Sequence, residues 1–261
     1  MSDAERRYWD QLSGIYQAGI RISCSDFHYG PLVPGDRALR LLPRRLAGLR
    51  TLELGCGAAQ NSIVLSRRQA QCTALDLSLG QLRIGKLLAR RHDATIRFVQ
   101  GDLDALPFGT QPRFDLVHSV YALPFARRPE RVLTHAARLL RPGGILLLST
   151  AHPLFAGEWL EVDDGEFGVF LPDYFSPPQD RREEKEGAGS RCRSVPVSTV
   201  FGWLRNAGLT VDTFLEPRPL PLAPARGHSR PPYDSPGWRD LYPKLARAPV
   251  VAVFRAVKPA D

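Results

Sequence analysis

The sequence predicts an α/β protein built on a doubly wound, mostly parallel sheet of seven strands, in which the last strand runs antiparallel. Between residues 49 and 150, short apolar runs alternate with amphipathic stretches, and strands separated by helices require parallel pairing with right-handed crossovers. Two further strands, at 209–216 and 250–257, have no long helix between them, which fits an antiparallel pair.

The alternating region supplies five of the seven strands. We predict these strands at 49–54, 73–76, 96–100, 114–119 and 144–150, and helices at 60–68, 79–91 and 130–140. The run Arg141-Pro142-Gly143-Gly144 is a stop signal for the third of these helices. A helix at 198–206, capped by Ser198 or Thr199, precedes the sixth strand, and a short helix at 237–245 precedes the seventh.

This pattern divides the chain into four parts. Residues 1–48 form an N-terminal helical cap or lid, with aromatic residues at helical spacing and a second helix expected at 37–46. Residues 49–152 form the core, and residues 196–261 complete it with the late strand pair. Residues 153–195 are rich in glycine, proline and charge with aromatics between, so we expect a substrate-covering insertion without regular structure. Its tract 181–191 is expected to be solvated or disordered.

Composition limits the partners. The net charge is +8, but the excess arginine comes as separated pairs, which argues against a nucleic-acid partner. No apolar run approaches the roughly 20 residues that span a bilayer, so we expect no membrane partner. The charged N-terminus lacks an apolar signal region, which predicts a cytoplasmic protein. The four cysteines form no C-x-x-C pair, so no metal site is expected. Monomer and homodimer are both left open.

A tight glycine turn connects the first strand to the first helix, and an acidic residue closes the second strand. Gly55 and Gly57 let the backbone approach a ligand, and Asp76, about 20 positions on, suits ribose hydroxyls. No third glycine completes a dinucleotide-binding G-x-G-x-x-G, because Ala59 and its neighbours follow. Glu53, just before the turn, would repel a phosphate. The stretch therefore favours a cationic ligand.

The stretch Glu-Leu-Gly-Cys-Gly (53–57) resembles motif I of the class I S-adenosylmethionine-dependent methyltransferases. Three later segments look like the rest of that series in order: GDLDALPF at 101–108, FDLVHSVYAL at 114–123 and LLRPGGILLLST at 139–150. The pairs His152-Pro153 and Glu216-Pro217 resemble its small-molecule branch, the ubiquinone/menaquinone methyltransferase-like group. The resemblance implies S-adenosylmethionine as cofactor, S-adenosylhomocysteine as product, and methyl transfer to a small molecule.

The resemblance also implies roles for the cofactor-binding residues. The Gly55-Cys56-Gly57 backbone would pack on the methionine moiety, and Glu53 would orient the turn or meet the amino group through water. Asp76 would bind the ribose hydroxyls, and Leu77, Asp102 and Leu103 would contact the adenine. Ser119 or nearby backbone would hold the amino group, and Tyr16 or Tyr29 would close over the carboxylate.

His152 is the first candidate for a catalytic base, because it follows the fifth strand and an unperturbed histidine titrates near neutrality. The alternative is that it caps the strand end or bonds locally. His28 is the second candidate, in a loop that forms either a site wall or a plain connection. His118 is expected in the core.

We expect the acceptor, an aromatic or secondary-metabolite O, N or C nucleophile, to contact His28, Tyr121, His152, Trp159 and Tyr174.

Two other functions remain open at this point. The sequence pI of about 9.7 motivates a tRNA or rRNA methyltransferase, although residues 119–123 lack the N-P-P-Y type tetrad of one nucleic-acid class. The other is a non-catalytic scaffold that binds S-adenosylmethionine. The intact acidic positions Asp76 and Asp102 argue against a degenerate site.

Overall fold

The structure is a computed structural model that describes residues 3–183, 188–222 and 232–260. Its strands, in chain order, are β1 (Arg50–Leu54), β2 (Gln71–Asp76), β3 (Ile96–Gln100), β4 (Phe114–Val120), β5 (Leu140–Ala151), β6 (Glu158–Asp163), β7 (Glu166–Phe170), β8 (Asp180–Glu183), β9 (Gly189–Cys192), β10 (Thr210–Leu215) and β11 (Val251–Val257). Seven of them form one sheet in the order β10-β11-β5-β4-β1-β2-β3. Strand β11 is antiparallel to both of its neighbours, which confirms the predicted sheet.

Helices cover both faces of this sheet. They are α1 (Asp3–Ile20), α2 (Asp36–Leu39), α3 (Gln60–Arg67), α4 (Leu79–Arg91), α5 (Pro129–Leu139), α6 (Val197–Asn206) and α7 (Pro236–Leu245). One buried cluster joins α5 and α6 to the sheet through Leu54 and Leu146. A second joins α3, α7 and the segment after α1 to the other face through Leu116 and Val253. The parallel strands therefore end together between two helical layers.

Three local predictions were wrong. The helix expected at 37–46 ends at Leu39, because Arg40 takes a left-handed conformation and the Asp36 carboxylate accepts the next amides, those of Leu41 and Leu42. Helix α6 begins after Pro196 with no side-chain cap, so neither Ser198 nor Thr199 caps it. Helix α5 ends at Leu139, before residues 141–144 as predicted, but these residues lie inside β5, which begins at Leu140 and not at 144.

The segment 153–195 is more regular than expected. It forms two antiparallel hairpins, β6 with β7 and β8 with β9. Gly165, with φ 81°, supplies the left-handed residue of the first turn. Within the tract 181–191, residues 184–187 lie outside the described part of the chain. Ser190 is buried, so the solvated or disordered tract that we predicted is wrong for this strand.

No helix in the described ranges combines the length and the apolar character needed to cross a membrane.

Candidate active site

One cavity of about 450 Å³ lies at the carboxyl ends of β1, β2 and β4, under α1 and beside α7. Part of its wall comes from the glycine turn and the strand ends: Glu53, Gly55, Cys56, Gly57, Asp76, Leu77 and Leu103. Another part is mostly apolar: Ile20, Ile22, Pro31, Val120, Tyr121, Phe155, Trp238 and Leu241. Tyr16, His28, Tyr233 and Asp180 also border it. The sequence-predicted glycine turn and a separate apolar wall therefore share one space.

The glycine turn is fixed by close packing and by Asp76. Gly55 has φ 70°, and a Cβ there would lie 2.2 Å from the Cβ of Ala122, so no larger residue fits. The amide of Gly57 donates to Asp76 Oδ2 at 2.7 Å, and the amide of Ser78 donates to Oδ1 at 2.9 Å. Burial raises the pKa of Asp76, and these two amides oppose that rise. The carboxylate thus ties the turn to the end of β2.

Glu53 joins the end of β1 to the first turn of α3. Its Oε2 accepts hydrogen bonds from both the amide and the hydroxyl of Ser62. Burial raises the pKa of this carboxyl to about 7, against the effect of the Ser62 bonds. Ala59, two residues after Gly57, has a left-handed φ of 58° and is the N-cap residue of the same helix, without a side-chain cap.

Helix α1 covers this end of the cavity through polar contacts that the sequence did not reveal. Asp10 Oδ1 accepts from the Ser78 hydroxyl at 2.6 Å and from the Gly80 amide at 2.9 Å. The Gln17 side chain accepts from Gln60 at 2.6 Å and donates to Gln81 at 2.8 Å. These contacts join α1 to the starts of α3 and α4. Isolated glutamines carry no local sequence signal, so spatial neighbours alone reveal them.

Aromatic rings continue the cover. Trp9 makes edge contacts with Tyr16 at 5.8 Å and with Phe125 at 5.1 Å between ring centroids. All three side chains border the cavity. The predicted aromatic stripe of α1 therefore faces the site as well as the core.

His28 is held from two sides. Its backbone amide donates to Asn61 Oδ1 at 2.7 Å, and Asn61 Nδ2 donates back to its carbonyl at 3.0 Å. Its ring Nε2 lies 2.7 Å from the Tyr233 hydroxyl, and the two rings stack at 5.6 Å. Burial lowers the pKa of His28 to about 4 and raises that of Tyr233 well above its usual value. Tyr233 lies 205 positions away, and no sequence pattern pointed to it.

His152 lies outside the cavity wall. Its Nε2 is 2.7 Å from Glu216 Oε1, and its Nδ1 accepts from the amide of Leu154 at 3.2 Å. Both ring nitrogens are therefore engaged: Nε2 joins the end of β5 to the end of β10, and Nδ1 bonds locally to the residues that follow β5. Burial lowers its pKa, while Glu216 opposes that shift. These contacts match the local bonding role that was the alternative, and His152 as the first candidate base stays a prediction.

Five other predicted site residues also lie elsewhere than on the cavity wall. The buried Tyr29 hydroxyl donates to Asp36 at 2.7 Å, and the Ser119 hydroxyl donates to the Leu54 carbonyl at 3.0 Å. Asp102 Oδ1 accepts from the amide of Asp104 at 2.8 Å in a local turn.

Trp159 and Tyr174 belong to the segment 153–195, of which Phe155 and Asp180, and not these two aromatics, border the cavity. Trp159 stacks on Phe167 at 5.8 Å across the first hairpin, and its ring also faces Arg247 at 5.5 Å. Tyr174 is partly exposed and contacts Phe175. The apolar wall comes instead from Phe155 and from Trp238 and Leu241 of α7.

The residues at the glycine turn fit S-adenosylmethionine. Gly55 and Gly57 border the cavity with left-handed φ values of 70° and 52°, so the turn presents backbone without side chains to a ligand. The charged side chains that border this part of the cavity are the carboxyls of Glu53 and Asp76, which suit a cationic cofactor rather than a phosphate.

Comparisons with known proteins agree with this fit. The family profile described as "Methyltransferase domain" matches residues 52–148. A fatty-acid O-methyltransferase of Mycolicibacterium smegmatis is 40% identical over 116 residues, which are 43% of this chain and 41% of that protein. A ubiquinone biosynthesis O-methyltransferase of Xanthomonas euvesicatoria is 28% identical over 167 residues, 64% of this chain and 65% of that protein. The chain thus matches less than two thirds of either relative's length.

Solved structures of methyltransferases share this fold. The crystal structure of an S-adenosylmethionine-dependent methyltransferase from Mesorhizobium loti superposes with a TM-score of 0.64 at 24% identity, covering 85% of this chain and 96% of that one. Proteins of this family and fold use S-adenosylmethionine as methyl donor. Residues 52–148 are therefore a methyltransferase domain, and the chain has the fold of the class I S-adenosylmethionine-dependent methyltransferases.

Proposed function

We propose that this protein transfers a methyl group from S-adenosylmethionine to an oxygen atom of a small, largely apolar molecule. The observation that carries the proposal is that one cavity of about 450 Å³ is bordered by both the glycine turn and the apolar wall. A methyl donor held at the turn and an acceptor held against the wall would then share one enclosed space. Both curated relatives described above are named as O-methyltransferases, which supports an oxygen acceptor.

The side chains divide the work. Gly55 and Gly57 would receive the methionine part of the cofactor, and Asp76 its ribose hydroxyls, with Leu77 and Leu103 against the adenine. When bound, S-adenosylmethionine supplies an activated methyl group on a sulfonium. The protein then has to align the acceptor and exclude water. Trp9 and Tyr16 of α1, together with Phe125, would exclude water.

The acceptor is proposed to be an aromatic or similarly flat compound, such as an intermediate of secondary metabolism. Aromatic side chains form much of the apolar wall, including Tyr121, Phe155 and Trp238. We also propose a cytoplasmic location, since all four cysteines are free thiols. We propose no nucleic-acid partner, as the sequence predicts, and both monomer and homodimer stay open.

Calorimetric titration with S-adenosylhomocysteine tests the donor half of this proposal. We expect wild-type binding, and Asp76→Asn should weaken it by roughly tenfold or more, because hydrogen bonds to charged groups contribute about 1.5–3 kcal/mol. Asp93→Asn is the matched control, because Asp93 is exposed, lies outside the cavity and has a left-handed φ that asparagine tolerates. If the wild-type protein shows no binding, the proposal is wrong.

A further inference from the structure

We infer that His28 is the proton acceptor for an uncharged hydroxyl group of the substrate, and that Tyr233 positions its ring. This inference rests on the proposed function and adds to it a catalytic residue, a positioning residue and a substrate class. It replaces His152, whose two ring nitrogens are engaged elsewhere.

The position of His28 is unusually well determined for a loop residue. The paired hydrogen bonds with Asn61 fix its backbone to the second residue of α3, directly after the glycine turn. Tyr233 fixes its ring through Nε2, and its own backbone amide donates to the carbonyl of Ile20 at 3.1 Å. The histidine is therefore tied both to the cofactor turn and to the apolar wall. A base must hold such a position relative to both reactants.

The hydrogen-bond pattern leaves one ring nitrogen for a ligand. Nε2 contacts Tyr233, whereas no hydrogen bond connects Nδ1 to another residue within 3–183, 188–222 or 232–260. The role of base requires Nε2–H to donate to the Tyr233 oxygen, so that Nδ1 keeps its lone pair. The opposite arrangement, in which the tyrosine donates, would place the hydrogen on Nδ1 and block proton transfer.

The proton balance is simple. The acceptor O–H bond breaks and its hydrogen moves to His28 Nδ1, while the oxygen electron pair forms the new bond to the methyl carbon and the C–S electron pair stays on sulfur. The imidazolium then returns its proton to water. Burial lowers the pKa of His28 to about 4, so the ring is neutral at pH 7 but is a weaker base than a free histidine. Proton transfer therefore has to accompany formation of the oxygen–methyl bond, which makes the acceptor O–H acidic.

The charges on the cavity wall select the class of acceptor. Within the described residues, the ionisable acids that border the cavity are Glu53, Asp76 and Asp180, and no lysine or arginine borders it. Among these described residues a substrate carboxylate would find no cation to pair with, which is unfavourable. An amine acceptor needs no base of this geometry once it is neutral. A phenol or alcohol loses a proton on methylation and therefore matches the wall and the base together.

Three compounds of one shape test the substrate class: 2-naphthol, 2-naphthoic acid and 2-naphthylamine, each titrated into the protein saturated with S-adenosylhomocysteine. We expect 2-naphthol to bind at least tenfold more tightly than 2-naphthoic acid, and to be the one that is methylated when the methyl donor is present. Equal or tighter binding of 2-naphthoic acid overturns the substrate class, and so does failure of all three to bind. If either of these results occurs while the protein still binds S-adenosylhomocysteine, the substrate class is wrong but the proposed function stands.

The base is tested by His28→Gln and Tyr233→Phe, with Tyr242→Phe of α7 as the control outside the cavity. We expect His28→Gln to lower kcat for 2-naphthol by roughly 100-fold or more, the usual contribution of a general base, with binding of S-adenosylhomocysteine unchanged within about threefold. Wild-type kcat in the histidine variant overturns the catalytic assignment.

A readout independent of turnover tests the role of Tyr233. In protein labelled with ¹⁵N-histidine, the His28 signal, assigned by its loss in His28→Gln, should show a protonated Nε2 and an unprotonated Nδ1 at pH 7. Tyr233→Phe should shift that signal toward a mixture of tautomers, and Tyr242→Phe should not. A proton found on Nδ1 in the wild-type protein, or no shift in Tyr233→Phe, overturns the positioning role.

Discussion

His152 Nε2 lies 2.7 Å from Glu216 Oε1 and joins the end of β5 to the end of β10. Because this contact is structural, His152→Ala should lower the free energy of unfolding by about 1–3 kcal/mol, the usual effect of losing a buried hydrogen-bonded partner. Methylation of 2-naphthol by the folded variant should keep kcat within about threefold, far from the roughly 100-fold loss expected for a base.

Urea unfolding of His152→Ala, Glu216→Gln and the double variant checks the pairing. Groups in direct contact show coupling energies of about 0.5–3 kcal/mol in such a cycle. Additive effects of the two substitutions would show that the contact contributes nothing to stability. A large loss of kcat in stable His152→Ala would return this histidine to the catalytic machinery.

Gly55 has no room for a side chain, which makes the glycine turn sensitive to a single methyl group. Gly55→Ala should lower the free energy of unfolding by about 2–4 kcal/mol, from left-handed strain of about 1 kcal/mol and overpacking of about 1–3 kcal/mol against Ala122. Gly143→Ala is the matched control, because Gly143 has φ 73° and no heavy atom within 4 Å of its Cβ position. Equal losses in the two variants, measured by urea unfolding, would contradict the close packing at Gly55.

The two amide hydrogen bonds of Gln17 connect α1 to α3 and α4 over the cofactor side of the cavity. Removing them with Gln17→Ala should speed release of S-adenosylhomocysteine and weaken its binding by roughly 5–150-fold, since each of the two bonds contributes about 0.5–1.5 kcal/mol. Stopped-flow displacement measures the release rate. Gln11→Ala, on the exposed side of α1, should release the ligand at the wild-type rate. If Gln17→Ala does the same, α1 does not retain the cofactor.

His118 predicts part of the stability loss in acid. It is fully buried in β4, and burial lowers its pKa from 6.5 to about 3. Between these values the unfolded chain binds a proton that the folded chain does not, so the contribution of His118 to stability falls as the pH drops from 6.5 toward 3. Glu53, its register partner on β1, has a raised pKa of about 7 and acts in the opposite sense, losing stability as the pH rises through 4.5 to 7.

The variant His118→Leu separates these two effects. Its stability difference from the wild-type protein, measured by urea unfolding at several pH values, should change in favour of the variant as the pH falls below 6.5. A difference that is constant between pH 6.5 and pH 4 would mean that the buried ring titrates normally.

The sequence was informative where the structural signal is local. Strand and helix periods and the glycine turn placed β1 to β4, α3 and α4 within two residues, because each depends on neighbouring positions. Helix α2 was overestimated because its end depends on the Asp36 side chain accepting amides beyond it. The hairpins between β5 and α6 were missed because their strands are short and mix charged with apolar residues.

In the candidate site, too, the residues with a local sequence signal could be predicted and those brought together from distant positions could not. The residues of the glycine turn and Asp76 lie at strand ends, where the order of elements already brings them together. Apart from Tyr121, the apolar wall could not be predicted, because Tyr233 meets His28 across 205 positions and Trp238 in turn packs on Tyr233. The same distance effect hid the contact between His152 and Glu216, which lie 64 positions apart.

A crystal structure of the complex with S-adenosylhomocysteine tests the central claim most directly. The account predicts the ribose against Asp76, the homocysteine along Gly55 to Gly57, and the sulfur facing a space bordered by Tyr121, Tyr233 and His28. S-adenosylhomocysteine bound with its sulfur turned away from that space, or with His152 as the histidine beside it, would contradict the account.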